Sequence, residues 1–249
     1  MTLSGLEVAV KHAAKRDHKV NVVAYADDFI ITGASREVLE TVVKPTVEAF
    51  LKERGLELSQ EKTRITPIDD GFDFVGFNVR KYGGKLLIKP ARESIKSFLA
   101  DIRALIKRNV SSTTVALIRQ LNRKIRGWTN YYRHGVAKRS FRRVENQLFL
   151  ALIGWINRRH LNKSRTWKRR RYFRSHAMRD WVFFARAQTE AGKVTYLDLF
   201  SASSVSITRH IKIQGKATPY DPAYRDYFAR RATARCVSHL DWRGRVAFN

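Results

Sequence analysis

Residues 20–33 have the sequence VNVVAYADDFIITG, which predicts the first part of the fold. Val, Ile, Tyr and Phe favour β-strands, and two such runs flank Ala26-Asp27-Asp28, which can form the tight connection of a hairpin. Two carboxylates at the end of a hairpin can project towards a divalent ion, and Mg²⁺ prefers hard oxygen ligands of this kind. Because an Asp-Asp pair in a turn is also common as a solvated cap, the stretch alone leaves both interpretations open.

The residues that follow predict a helix and a second β unit. Ser35 suits a helix N-cap, apolar residues then recur at helical spacing, and Gly55 suits a C-cap. Pro45 is expected to kink or interrupt this helix. Residues 71–90 read as strands with a turn at Gly83-Gly84. The first part of the chain is therefore predicted to be a small α+β layer.

After Pro90 the pattern changes to three amphipathic helices that can bury their apolar stripes against one another as a bundle. The stripes consist of Ile95, Phe98, Leu99, Ile102, Leu105 and Ile106; of Val115, Ile118, Leu121, Ile125, Trp128 and Tyr132; and of Phe141, Val144, Leu148, Leu152 and Trp155. For the aromatic residues on these stripes, core packing is favoured over stacking on nucleic-acid bases. From about residue 181 the sequence predicts short β or irregular segments and a surface tail.

Charge divides the chain into two unequal parts. Residues 1–70 hold 10 Lys+Arg against 12 Asp+Glu, a net charge of −2, whereas residues 71–249 hold 39 against 10, a net of +29. An excess of this size indicates a polyanionic partner, because neutralising phosphates releases condensed counterions. The sequence therefore predicts that an ordinary globular piece is joined to a nucleic-acid-binding piece.

The composition disfavours a membrane or secreted protein. No apolar run approaches the roughly 20 residues that would cross a bilayer, no lipid anchor is evident, and residues 1–10 lack the pattern of a signal peptide. A single cysteine, Cys236, permits no internal disulfide. We therefore expect no membrane partner and a cytoplasmic location.

Three sequence blocks resemble the successive palm motifs of group II intron reverse transcriptases. They are Tyr25-Ala26-Asp27-Asp28, the segment GLELSQEKT at 55–63 and the segment GFDFVGF at 71–77. A later segment, LIRQLNRKIRGWTNYY at 117–132, resembles the maturase signature (domain X) of the same family. The resemblance covers most of the chain.

The resemblance implies an α+β fold class made of three segments. Residues 1–90 would form a partial reverse-transcriptase palm of β-hairpins plus a helix, and residues 91–180 a helical thumb/maturase bundle. Residues 181–249 would form a basic C-terminal region that binds RNA or DNA.

The resemblance also implies a polymerase site. Asp27 and Asp28 would bind catalytic metal, and Lys62 would lie near the incoming triphosphate, although a plain surface lysine is an equal alternative. The hairpin that grips the primer would contain Phe74, Val75, Gly76 and Phe77. Core packing is favoured over direct primer contact for the apolar members, and Gly76 is expected to permit a close backbone approach.

In this family the thumb region binds intron RNA. Planar arginine forks suit phosphate oxygens, so we expect RNA contact by the basic cluster as a whole rather than by each member. The expected RNA-binding residues are Arg119, Arg123, Lys124, Arg126, Arg133, Lys138, Arg139, Arg142, Arg143, Arg158, Arg159, Lys168, Arg169, Arg170, Arg171 and Arg174. The histidines, among them His134, His160 and His176, show no metal-ligand spacing and are expected to be structural.

The polymerase site is expected to be incomplete in this chain. Family members carry fingers and an earlier palm strand with another metal-binding aspartate, whereas the only acids before Tyr25 are Glu7 and Asp17. We therefore expect that the isolated chain does not polymerise DNA. Mg²⁺ is expected only where the site is completed, and no cofactor otherwise.

Three functions remain open at this point. The first is an RNA-splicing cofactor that binds structured RNA, expected to be a group II intron, with a DNA target as a further partner. The second is the C-terminal subunit of a split RNA-directed DNA polymerase that works with a separate N-terminal chain. The third is a general nucleic-acid-binding protein.

Overall fold

The computed structural model describes residues 3–188, 192–208, 213–215 and 217–240, with side chains described up to residue 232. The chain forms two compact units, residues 1–208 and 209–249. Parts of the expected basic C-terminal region, including 241–249 and the side chain of Cys236, lie outside the described residues. The mixture of helices and antiparallel strands confirms the α+β class.

The N-terminal part packs a helix against a two-stranded hairpin. Helix α1 spans Leu6–Ala13, and strands β1 (Asn21–Tyr25) and β2 (Asp28–Thr32) pair antiparallel with Tyr25 opposite Asp28. The predicted hairpin is confirmed, but its turn holds only Ala26 and Asp27, because Asp28 already begins the second strand. Ala26 has a φ of 52°, the left-handed conformation that tight two-residue hairpin turns use.

The predicted helix after the hairpin is interrupted as expected. Ser35 caps α2 (Arg36–Val38) by accepting a backbone hydrogen bond, and a π-helical turn at Leu39–Val43 leads into α3 (Lys44–Lys52). Pro45 lies in the first turn of α3, where its missing N–H is tolerated. The core of this part consists of Leu6, Val10, Val43, Val47, Phe50 and Leu51.

The second β unit is a three-stranded antiparallel meander. It contains β3 (Phe72–Phe74), β4 (Phe77–Tyr82) and β5 (Lys85–Pro90) in that spatial order. Gly83 and Gly84 connect β4 to β5 with φ of 51° and 80°, which confirms the predicted turn.

The three predicted amphipathic helices are present. They are α4 (Arg92–Arg108), α5 (Thr114–Tyr132) and α6 (Lys138–Arg159), and their apolar stripes supply most of the larger core. Trp155 and Tyr132 are buried, so core packing is confirmed for both. Trp128 is half-buried and stacks on Phe98 with 4.7 Å between the ring centroids.

The bundle continues into a second meander. Helix α7 (Arg165–Tyr172) leads into β6 (Phe173–His176), β7 (Arg179–Gln188) and β8 (Val194–Asp198). The prediction of short strands here is confirmed. The sheet packs on α5, and its side chains complete the larger core. The core residues contributed from this region include Tyr172, Phe173, Phe183 and Ala185.

A buried asparagine fixes this meander to the bundle. Asn122 on α5 donates to the carbonyl of Asp198 at 2.9 Å, and its side-chain oxygen accepts from the N–H of Phe200 at 2.8 Å. Both bonds satisfy backbone groups at the end of β8, where a buried unpaired group would be costly.

The second unit contains one longer helix. Asp221 accepts a hydrogen bond from the N–H of Ala223 and caps a 3-10 turn, Pro222–Tyr224, which leads into α8 (Arg225–Leu240). Among the described residues of the whole chain, no helix is long and apolar enough to span a membrane.

Candidate nucleic-acid interface and carboxylate hairpin

Both aspartates of the sequence motif lie exposed at the end of the β1–β2 hairpin. Asp27 occupies the turn, and Asp28 pairs with Tyr25 across the strands. The register places Tyr25, Asp28 and Val23 on one face of the hairpin, and Val23 and Tyr25 are exposed there. The hairpin therefore presents a carboxylate pair beside an uncovered aromatic ring.

The carboxylate pair supplies part of a metal site. Mg²⁺ is commonly held by one or two protein carboxylates together with substrate phosphates. Asp27 and Asp28 could supply these two carboxylates. Within the described residues, however, no group of three or more His, Cys, Asp or Glu side chains could hold a metal ion. Lys62 is exposed in the loop between α3 and β3 and forms no ion pair with either aspartate in this part of the chain.

The turn between β3 and β4 is packed against the helical bundle. Val75 and Gly76 form it with φ of 46° and 75°. The hydroxyl of Tyr131 donates to the carbonyl of Val75 at 2.7 Å, and the N–H of Ala91 donates to the carbonyl of Gly76 at 2.8 Å. A Cβ on Gly76 would lie 2.7 Å from the hydroxyl oxygen of Tyr132, so the predicted close approach is confirmed.

Phe77 connects the meander with the bundle. Its ring centroid lies 5.3 Å from that of Tyr131 and 4.9 Å from that of Tyr132. Phe77 is therefore partly buried against the bundle core, as favoured from the sequence, while its expected primer contact stays a prediction. The partners of this contact, Tyr131 and Tyr132, were assigned no site role from the sequence.

Tyr131 has a raised pKa. Burial raises this pKa above its usual value, and the nearby Tyr132 and Tyr25 raise it further. Tyr25 is the residue that pairs with Asp28 at the end of the carboxylate hairpin. The proximity of Tyr25 to Tyr131 was not predicted, because no local pattern relates residues about 100 positions apart.

Most of the expected RNA-binding side chains are exposed arginines. Within the described part of the chain, none of the ten that follow has a carboxylate within ion-pairing distance. We call this set the open arginines: Arg119, Arg123, Arg126, Arg139, Arg142, Arg143, Arg158, Arg169, Arg170 and Arg171. Within the described residues, no carboxylate neutralises these ten guanidinium groups by direct contact.

Arg174 has a different environment. Its guanidinium donates two hydrogen bonds to Asp198, at 2.9 and 2.7 Å, and lies 4.6 Å from the ring centroid of Tyr196. His176 approaches the same carboxylate at 2.7 Å, and the hydrogen bond to Asp198 raises the pKa of Arg174. Arg174 therefore forms an ion pair between β6 and β8, and its sequence-based assignment to RNA binding stays a prediction.

Two further arginines of the expected set hold the fold together. Arg159 donates to the carbonyl of Ser112 at 2.5 Å and lies over the ring of Trp155. Arg133 is half-buried and donates to the hydroxyl of Thr208 at 2.7 Å. Both therefore have partners within the fold, and their expected RNA contact stays a prediction.

Three lysines of the set have weaker internal partners. Lys124 lies 3.7 Å from a carboxylate oxygen of Asp101, Lys138 donates to the carbonyl of Ser203, and Lys168 donates to Asn157. Their ammonium groups reach these partners through flexible stems, and exposed contacts of this kind contribute little stability. They remain candidates.

His134, His160 and His176 have partners within the fold, which agrees with the structural role expected for them. The ring of His160 is hydrogen-bonded to the hydroxyl of Tyr172 at 2.6 Å and packs against Trp167. Burial lowers the pKa of His160, and the neighbouring cations Arg159, Lys168, Arg171 and Lys163 lower it further. His134 contacts the carbonyl of Thr208.

The comparison with known families agrees with this organisation. The reverse transcriptase (RNA-dependent DNA polymerase) family matches residues 4–79, which contain the carboxylate hairpin. The group II intron maturase-specific domain matches residues 95–173, which contain α4 to α7. A match to the reverse transcriptase family is thus followed along the chain by a match to the maturase-specific domain. The two matches in this order support a group II intron reverse transcriptase/maturase.

Two group II intron-encoded proteins are similar to part of this chain. The chain is similar to the group II intron-encoded protein LtrA of Lactococcus lactis subsp. cremoris and to the same protein of its strain MG1363. In each case the identity is 28% over 140 residues, covering 44% of this chain. The matched part spans 23% of the relative, less than a quarter of its length.

Proposed function

We propose that this chain binds group II intron RNA through the open arginines and assists the intron's splicing, with the RNA itself performing the chemistry. The observation that carries the proposal is that ten exposed guanidinium groups have no carboxylate partner in the described part of the chain. A planar guanidinium can donate two parallel hydrogen bonds to a phosphate, so such groups are suited to an RNA backbone.

Helix α5 illustrates the arrangement. Arg119, Arg123 and Arg126 follow one another at spacings of four and three residues, so they form a row along one helix face. The opposite face carries buried residues such as Leu121 and Ile125. Successive members of the row lie about 4.5–6 Å apart along the axis, so a single helix can contact several phosphates.

The functional segments of the sequence prediction are part of this proposal. Residues 1–90 act as the palm part and 91–180 as the thumb/maturase part, while 181–249 add a basic region for RNA or a DNA target. The turn at Val75 and Gly76 serves as the primer-grip position. The support is the order of the two family matches and the hydrogen bond that ties this turn to the bundle.

A second candidate function is that of a polymerase subunit which works with a separate N-terminal chain. The exposed carboxylates Asp27 and Asp28 favour it, because they can supply two oxygen ligands to Mg²⁺, with Lys62 assisting the leaving group. Substituting both aspartates by alanine separates the candidates. Splicing assistance that survives Asp27→Ala with Asp28→Ala supports the RNA-binding function, whereas its loss supports retained chemistry at the hairpin.

The test of the main proposal is a comparison of RNA affinities. The full chain is titrated at physiological salt with a group II intron RNA and with a scrambled RNA of the same length. We expect tighter binding to the intron RNA and faster splicing in its presence. Equal affinity for both RNAs would overturn the intron-specific proposal and favour a general nucleic-acid-binding protein.

A further inference from the structure

The hairpin between β6 and β7 has an unusual backbone. Its two-residue turn, Ala177–Met178, has φ of 50° and 58° without any glycine. The register then shifts, so that Asp180 and Trp181 on β7 face Ser175 alone on β6. This bulge places Trp181 at a φ of 59°, which is rare for a bulky side chain.

A strained backbone conformation persists only where contacts with the surrounding structure stabilise it. A β-bulge also changes the direction in which its side chains point. The indole of Trp181 is held by Phe173, with 5.5 Å between the ring centroids, and by Phe149 at 6.2 Å. Even so, 45% of Trp181 remains exposed. The fold therefore presents a fixed aromatic ring to the solvent instead of burying it.

Arg169 on α7 completes the arrangement. Its guanidinium carbon lies 4.5 Å from the centroid of the Trp181 ring, and it has no carboxylate partner among the described residues. The pair of Arg174 and Tyr196 has nearly the same geometry, at 4.6 Å, but there Asp198 neutralises the arginine. The two pairs differ in one respect that matters for an anionic ligand: only Arg169 keeps an uncompensated charge.

We propose that Trp181 and Arg169 form a stacking platform for an unpaired nucleobase of RNA. The exposed surface of the indole and the planar guanidinium accept the face of a base, and the free N–H groups of Arg169 bind the adjoining phosphate. A fully paired helix hides its base faces, so the platform selects bulges, loops and single-stranded junctions. The inference rests on the proposed RNA binding and adds a particular site to it.

The test uses the full chain and two short RNA duplexes, one fully paired and one with a single bulged 5-iodouridine. Irradiation links this base to an aromatic side chain in stacking contact, and mass spectrometry identifies the residue. We expect the link at Trp181 and tighter binding of the bulged RNA by about tenfold, within the range for stacking of one base. Trp181→Ala and Arg169→Gln should each remove most of this preference.

Tyr196→Ala is the matched control, because it removes an exposed ring beside a neutralised arginine, and we expect it to keep the preference. Trp181→Phe keeps an apolar ring against Phe149 and Phe173, so a partial loss in this variant excludes unfolding as the cause. The platform would be overturned if the iodouridine were crosslinked to a residue other than Trp181, or if Trp181→Ala and Tyr196→Ala lost the preference for bulged RNA equally. Neither result would contradict RNA binding as such. Failure to bind either duplex would overturn the proposed RNA binding and the platform together.

Discussion

The N-terminal part and the helical bundle differ in how their surface charges are compensated. On the N-terminal helices, Lys11, Arg36 and Lys44 each pair with a glutamate four residues away on the same helix or its continuation. On α5 to α7, the open arginines have no carboxylate partner in the described part of the chain. A high count of basic residues therefore does not by itself locate a nucleic-acid interface. The absence of neighbouring carboxylates is the more specific sign.

The two parts also differ in their cores. Six buried residues form the core of the N-terminal part, whereas the bundle core extends through α4 to α6 into the second meander. A larger core fixes its surface side chains on a stiffer frame, which suits the positioning of several guanidinium groups. The carboxylate hairpin instead projects from the smaller core, with one face uncovered.

The largest expected effect sharpens the difference between the cores. Trp155 is 0% exposed and donates to the carbonyl of Asn109, so Trp155→Ala should lower the free energy of unfolding by about 3–5 kcal/mol. Phe50→Ala in the smaller core should cost less, because fewer buried neighbours surround it. Denaturant titration of each variant measures both values. Leu150→Ala, exposed on the same helix as Trp155, is the control and should change stability by less than about 0.5 kcal/mol. A larger loss for Phe50→Ala than for Trp155→Ala would contradict the comparison.

The second-largest expected effect tests the packing of the β3–β4 turn against the helical bundle. Gly76→Ala and Gly55→Ala both place a Cβ at a positive φ, 75° and 68°. Because this backbone conformation is strained in a residue with a Cβ, each substitution should lower the free energy of unfolding by roughly 1–2 kcal/mol. Only the Cβ at position 76 meets another group, the hydroxyl of Tyr132 at 2.7 Å. We expect the greater loss of unfolding free energy for Gly76→Ala, measured by denaturant titration. Equal losses would mean that the turn is not held against Tyr132.

How much the sequence predicts depends on how local the cause is. The β1–β2 hairpin and the Gly83-Gly84 turn follow from residues next to one another, and both are confirmed. The meander of β6 to β8 was only partly predicted, because its strands are completed by Asn122 on α5, about 75 residues away. The same reason explains Arg174: its position in a basic run predicts RNA contact, whereas its partner Asp198 lies 24 residues later.

The aromatic contacts show the same limit. The stripes of the three helices predicted that Tyr132 and Trp155 are buried, because helical periodicity is read within one segment. The contact of Tyr131 with Val75 joins residues 56 positions apart, and no periodicity relates them. The bulge that exposes Trp181 depends on the pairing register of β6 and β7. The short apolar segments of this region do not determine that register, so the bulge could not be predicted from the sequence.

The smallest expected effect concerns pH. The pKa of His160 is lowered from 6.5 by burial and by nearby cations, so the unfolded chain binds the proton more readily than the folded one. The stability that the neutral imidazole contributes is therefore fully present above pH 6.5 and is lost as the pH falls towards the lowered value. We expect the Tm to decrease between pH 7 and 5, and to decrease less in His160→Gln. Parallel curves for the two proteins would rule out His160 as a source of the pH dependence.

The most direct test of the central claim is the salt dependence of RNA affinity in two variants with equal changes of charge. One carries Arg119→Gln, Arg123→Gln and Arg126→Gln on the open face of α5, and the other carries Lys11→Gln, Arg36→Gln and Lys44→Gln at the compensated positions. Each phosphate contact contributes about 0.7–0.9 to the slope of log affinity against log salt, so the first variant should lose about two to three from the slope. The second should keep the slope of the unchanged chain. Equal slopes for the two variants would contradict the claim that uncompensated arginines hold the RNA.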